Sequence, residues 1–218
     1  MSAIDLAAMR ATPLCHEPFD HLVVPGFVRA ESLGAVNADF PEMSHPGSFP
    51  LSELAFGPDF AALIDELDSA ETRAALEDKF DIDLSARPIM CTVRGRCRAA
   101  DGRIHADSAS KILTVLIYLN PAWSAEGGRL RLLRSAHDIE DYAAEITPEP
   151  GTLLAFRCTG NAWHGHKPFE GERRSIQLNW VTSRAVVWRE QWRHRLSARV
   201  KRLIAAAEGG WRGPASRP

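Results

Sequence analysis

Between Pro88 and Thr182 the chain is cut into short β-rich runs: Ile89–Val93, Arg103–Asp107, Ile112–Leu119, Arg129–Leu133, Thr152–Phe156, Ala162–His164 and Arg173–Val181. Turn signals at Asn120-Pro121, Gly127-Gly128 and Pro150-Gly151 separate them. Many short strands at such spacing argue for a sandwich or barrel rather than for βαβ units. The expectation is therefore a mainly β fold with flanking helices.

The segments on either side read differently. Before Arg87, Phe19–Val24 reads as a strand ended by Pro25-Gly26, and helical patterns cover about Ala30–Phe40, Asp59–Leu67 and Ala70–Phe80. Ser69 is a plausible N-cap for the last of these. The stretch Pro41–Pro58, rich in Pro, Gly and Ser, reads as a loop. After Thr182, Trp188, Trp192, Leu196, Val200 and Leu203 recur at spacings of three and four, which predicts an amphipathic helix over 184–208 whose apolar stripe is buried. A single domain is expected over 1–218: an N-terminal helical and strand buttress (1–87), a β-core (88–182) and the C-terminal helix.

Charge and cysteine usage exclude several classes. A net charge of -2 gives no global attraction to nucleic acid or anionic lipid, and the basic face of the C-terminal helix reads as solvated surface. Cys15, Cys91, Cys97 and Cys158 have no CxxC spacing, so neither a zinc knuckle nor a disulfide framework is indicated. Leu113–Leu119 is among the longest apolar runs, far short of the roughly 20 residues of a membrane-spanning helix. No secretory signal pattern is visible in Met1–Thr12, and a cytoplasmic location is expected.

Candidate chemistry sits in the β-rich segment. His105 and Asp107 lie two apart in an expected strand, where a period of two puts both side chains on one face. His164, in another expected strand, completes two histidines and one carboxylate, the facial set used for non-haem Fe(II) with positions left open for other ligands. In Arg173–Val181 the alternation puts Arg173, Ser175, Gln177 and Asn179 on one face, opposite Arg174, Ile176, Leu178 and Trp180. Polar residues on a shared face suit a cavity, in which Arg173 offers a fork for a carboxylate. Tyr118, on the same side of its strand as Thr114 and Leu116, can add a hydroxyl hydrogen bond.

His105-Ala106-Asp107, Leu113 through Asn120, Gly127-Gly128-Arg129-Leu130, Trp163 through Pro168 and Gly171 through Ser175 together resemble the Fe(II)/2-oxoglutarate-dependent oxygenases, and within them the prolyl-hydroxylase-like group. The similarity covers roughly Arg103 to Val181. It implies a double-stranded β-helix (jelly-roll) core, iron on His105, Asp107 and His164, and 2-oxoglutarate held at its far carboxylate by Arg173 and Tyr118, with Ser175 as a further cosubstrate contact. His166 competes with His164, and Arg174 with Arg173. The family places its cosubstrate-binding basic residue nine or ten positions after the distal histidine, followed by x-Ser. That pattern favours His164 with Arg173-Arg174-Ser175.

The resemblance implies a dioxygenase that uses Fe(II), 2-oxoglutarate and O2 to hydroxylate a C–H bond, with release of succinate and CO2. Lys111, Gln177 and Asn179 favour a polar substrate, such as a prolyl residue, an amino acid or a sugar-containing metabolite, with Lys111 placed to hold an acidic group. Alternative readings are a non-catalytic, cupin-like metal-binding module and a nucleic-acid demethylase of the same superfamily. The carboxylate clamp argues against the first; the second is motivated by the basic C-terminal helix, and nucleic-acid affinity that does not fall with added salt would remove its electrostatic basis.

Overall fold

The computed structural model describes residues 2–43 and 45–189. Helix α1 (Leu6–Ala11) and strand β1 (His21–Val24) open the chain, followed by α2 (Ala30–Ala38), β2 (Ser48–Pro50), a 3-10 turn at Leu51–Glu53, α3 (Pro58–Leu67) and α4 (Ala70–Phe80). Then come β3 (Ile89–Cys97), β4 (Lys111–Tyr118), β5 (Leu130–Leu133), β6 (Tyr142–Ile146), β7 (Leu153–Arg157), β8 (His164–Gly165) and β9 (Gly171–Val181).

The strands form two sheets, one ordered β1-β7-β4-β9-β3-β2 and the other β6-β5-β8, with every pairing antiparallel. The chain changes sheet on leaving β4, β6, β7 and β8, which winds it into the expected jelly-roll core. Strand parity explains how the larger sheet is buried on both faces. Leu113, Val115 and Ile117 of β4 join Ile176, Leu178 and Trp180 of β9 beneath Phe60, Leu63 and Leu67 of α3 and Leu76 and Phe80 of α4. On the opposite face Leu116 and Tyr118 meet Leu130 and Leu132 of the smaller sheet, with Leu154 and Phe156 of β7. A strand with apolar contacts on both sides reads as one unbroken apolar run, which is why Ile112–Leu119 shows little alternation.

Local signals account for the helices. Ser69 caps α4 by accepting from the Thr72 amide. Pro58 occupies the first turn of α3, where its missing N–H costs nothing, and the apolar stripe Phe60, Leu63, Ile64 and Leu67 faces the sheet.

Several expectations need correction. Arg103–Asp107 is irregular chain with a bend at Ile104 rather than a strand, attached at a lone bridge between His105 and His164. The strand expected at Ala162–His164 is the two-residue β8. Pro41–Pro58 is not all loop, because Ser48–Pro50 adds an edge strand to β3 and a 3-10 turn follows. Helix α1 and strand β6 carry too little periodicity to be read, and four of the five β6 residues are only half-buried. Residues 184–189 are helical, but the rest of the helix expected over 184–208 lies outside the described residues, including Trp192, Arg195 and Arg199. Trp188, expected in its buried stripe, is 72% exposed, whereas Val186 packs on Met90 and Val181.

Phe60 is fully buried and packs edge-on against Phe40 at 5.5 Å, with Phe56 at 5.3 Å. Phe60→Ala is expected to cost about 3–5 kcal/mol, since the helices and sheet cannot close the resulting cavity. Chemical denaturation should show a lower midpoint at unchanged slope.

Candidate active site

Two stretches with almost no regular structure meet at the mouth of the jelly roll. His105 and His164 exchange backbone hydrogen bonds, His105 N–H to the His164 carbonyl at 3.0 Å and the reverse at 2.9 Å. Their rings lie 4.3 Å apart between centroids. Each ring is oriented by its own segment, His105 Nδ1 on the Arg103 carbonyl at 2.8 Å and His164 Nδ1 on the Ala162 carbonyl at 2.9 Å. A carbonyl only accepts, so Nδ1 carries the proton on each ring and Nε2 keeps its lone pair. Asp107 joins them, and one ligand atom from each of the three lies within 4.8 Å of the others. The donor set fits a mononuclear iron(II), with imidazole orientation by backbone carbonyls as metal-binding histidines require.

Electrostatics keep these groups in the protonation states a metal needs. Burial, reinforced by the neighbouring His105, lowers His164 to about 4, so it is neutral at physiological pH. Burial works to raise the Asp107 carboxyl. The Lys111 ammonium, with His164 and hydrogen bonds from Lys111 and Thr114, outweighs that effect and holds it below the usual carboxylate range. Cys158 stands beside Asp107 at 3.7 Å and is pushed to about 12, first by burial and then by the carboxylate, so it remains a thiol.

The cluster opens into a cavity of about 290 Å³. Arg173, Ser175, Gln177 and Asn179 line one wall, as the β9 alternation predicts, with Thr114 and Leu116 of β4 beside them. Arg173 is 5% exposed, donates from Nε to the Gly128 carbonyl at 2.9 Å and reaches the Tyr118 hydroxyl at 3.4 Å. Among the described residues no carboxylate forms an ion pair with it. Burial raises the Tyr118 hydroxyl, against the opposing pull of Arg173, so Tyr118 stays protonated and able to donate. A buried guanidinium without an acid, next to a phenol, is a receptor for a carboxylate.

The rival residues fall elsewhere. Arg174 points to the other face, where it pairs with Glu172 at 2.6 Å, bonds Asn37 and covers the Phe40 ring. His166 lines the cavity but is not among the three clustered ligand groups. Burial, with Arg173 nearby, lowers it to about 4. Lys111, expected from the sequence to hold an acidic group of a substrate, is paired here with Asp107 at 2.7 Å and has a side chain only 17% exposed. Arg94 was not singled out from sequence. It lines the cavity from β3 and, through Asp101 at 2.9 Å and Ser48 at 3.1 Å, ties the segment leading to His105 onto the sheet.

Two histidines and one carboxylate converging inside a jelly roll, with a carboxylate receptor in the same cavity, are the donor set that suits a non-haem iron(II). Residues 98–182, which hold His105, Asp107, His164, Arg173 and Tyr118, match the family model of the 2OG-Fe(II) oxygenase superfamily. The cofactors of that superfamily are Fe(II), 2-oxoglutarate and O2. No curated protein sequence matches the chain. Among solved structures it is similar to a Pseudomonas putida prolyl-4-hydroxylase, with 19% identity and a TM-score of 0.51 over 84% of this chain and 95% of that one. A Burkholderia pseudomallei oxidoreductase of the 2OG-Fe(II) oxygenase family shares 17% identity and a TM-score of 0.53 over 81% and 89%. A viral collagen prolyl hydroxylase from Paramecium Bursaria Chlorella virus-1, in its 2-oxoglutarate complex, shares 16% identity and a TM-score of 0.52 over 74% and 96%. At these identities the three structures establish the fold. No described helix is long and apolar enough to cross a membrane.

Gly102 sits at a φ of 81°, and a Cβ there would run into the His166 ring. Gly102→Ala is therefore expected to lose about 1–3 kcal/mol from backbone strain alone, read as a lower melting temperature. A variant as stable as wild type would contradict the close approach.

Proposed function

We propose that the chain hydroxylates a C–H bond of a polar substrate at an iron held by His105, Asp107 and His164, with one atom of O2 entering the new hydroxyl and the other the succinate formed, with CO2, from 2-oxoglutarate. The observation that carries this reading is the presence, in one cavity, of the three convergent ligand groups and a buried Arg173 with no acid partner among the described residues.

When bound, iron(II) supplies the oxygen activation and C–H cleavage that no protein side chain can perform. The chain's own residues bind and orient. His105 and His164 present Nε2 because their Nδ1 protons are committed to backbone carbonyls. Arg173 and the Tyr118 hydroxyl take the far carboxylate of 2-oxoglutarate, with Ser175 next along the same face. The apolar ring of Phe156, 4.9 Å from His164, and Leu116 line the wall near the ligands and limit water there. Lys111 and Gln177 face the cavity with polar groups, which suits a substrate bearing an acidic or amide function. The prolyl-hydroxylase likeness makes prolyl peptides a first substrate class to test, beside amino acids and sugar-containing metabolites.

His105→Ala, Asp107→Ala and His164→Ala are each expected to abolish Mn(II) or Fe(II) binding and succinate formation while leaving the fold intact. His166→Ala should retain the metal. Titration calorimetry with circular dichroism checks this, and metal loss from the His166 variant alone would overturn the ligand assignment.

Arg173→Ala is expected to weaken 2-oxoglutarate binding by about 2–5 kcal/mol, roughly 30-fold to several thousand-fold. Tyr118→Phe, which removes one hydrogen bond to a charged group, should cost less, about 1.5–3 kcal/mol. Arg174→Ala should leave the cosubstrate affinity unchanged. Equal affinity in wild type and Arg173→Ala would refute the clamp.

A further inference from the structure

Asp107 lies in an irregular segment that belongs to no strand, so no ladder fixes its backbone. Strand β4 does so instead, at both oxygens. Lys111 Nζ donates to Oδ1 at 2.7 Å and Thr114 Oγ1 to Oδ2 at 2.6 Å. Residues three apart in a regular strand face opposite sides, so a regular β4 would offer Asp107 only one of these contacts. The register with β9 shows how both arise. Lys111 pairs with Val181 and Leu113 with Trp180, leaving Ile112 as the extra residue of a bulge. The bulge reverses the parity and turns Lys111 to the face that Thr114 occupies.

Behind Thr114 the donors continue. A carboxylate only accepts, so the single Thr114 proton is committed to Asp107, and the Thr114 oxygen accepts from Asn179 Nδ2 at 2.7 Å. Asn179 Oδ1 in turn accepts from Gln177 Nε2 at 3.0 Å. Every bond in the series therefore points one way, from Gln177 at the cavity wall to Asp107. Thr114 and Asn179 are opposite each other in the β4–β9 ladder and each is 1% exposed, so water competes little for either group.

We infer that Thr114 and Asn179 are positioning residues for the Asp107 carboxylate, an inference that rests on reading Asp107 as a metal ligand. A free carboxylate rotates about two side-chain bonds and loses that freedom when it binds a metal. Thr114, braced by Asn179, removes the freedom beforehand. Partners that orient a ligand in this way typically contribute about 10–100-fold to metal affinity. The same bonds engage both ends of the Asn179 amide within the wall, which leaves Gln177 as the member of the series with polar atoms free for a substrate.

The test is titration of Mn(II), and of Co(II) with its visible absorption, into the full-length chain and its variants, each with a thermal melt. Thr114→Val should weaken metal binding about 10–100-fold and change the Co(II) spectrum, and Thr114→Ser should restore most of the affinity. Asn179→Ala should weaken binding on its own yet weaken Thr114→Val no further, because its effect passes through the hydroxyl. Wild-type affinity and spectrum in Thr114→Val, or no rescue by serine, would overturn the inference. If Thr114→Val does not fold, Asn179→Ala decides the matter, and wild-type metal affinity in that variant is the contradicting result. Asp107→Ala separates the two readings. Metal retained without Asp107 defeats the ligand assignment itself, whereas metal lost from Asp107→Ala and kept by Thr114→Val defeats only the positioning role.

Discussion

The site depends on one small clasp, the pair of backbone hydrogen bonds between His105 and His164. His105 lies outside the strands and His164 in the two-residue β8, and 58 residues of chain lie between them. Closing such a loop costs conformational entropy that two hydrogen bonds alone do not return. The closure is stable because both flanks are anchored. On one side Arg94 and Asp101 bind the segment before His105 to β3, and on the other β8 pairs with β5. Once the clasp forms, the rings are adjacent and Asp107 falls against β4.

Burial in this protein serves two different ends. The outer face of the large sheet is apolar and carries the helices, while the inner face mixes an apolar sandwich with a polar end. The change occurs within single strands. In β9 the side chains of Ile176, Leu178 and Trp180 go to the helices, and those of Arg173, Ser175, Gln177 and Asn179 go to the cavity. Buried polar groups are tolerated there because they bond one another or the backbone. Arg173 is different, since its bonds are to a carbonyl and a phenol and no described acid neutralises it. That imbalance is the clearest mark of a ligand in the cavity.

Much of this was legible from the residues alone. The β9 alternation sorted polar from apolar correctly, and Ser69 marked the start of α4 at the right residue. The spacing of His105, Asp107 and His164 pointed to groups that do converge. The expectation that His105 and Asp107 share a strand face does not hold, because the segment is irregular, with a bend at Ile104. Lys111 was the subtler case. Parity puts it opposite Thr114, and only the bulge at Ile112, which leaves no residue signature of its own, brings it to Asp107. Arg94 was invisible for a similar reason, since its role is set by Asp101 and Ser48, partners that the fold rather than the sequence brings near. Strand β6 has neither alternation nor β-branched residues until Ile146, so pairing with β5, not propensity, makes it a strand.

The central claim is that one cavity binds a metal and 2-oxoglutarate together. Binding of two ligands to one site must be reciprocal in free energy. The most direct measurement is calorimetric titration of 2-oxoglutarate into the manganese-loaded and the metal-free chain, under conditions without turnover. The account predicts much tighter binding with metal present, and an equal enhancement of manganese affinity by 2-oxoglutarate. Affinity for 2-oxoglutarate that is the same with and without metal would contradict it.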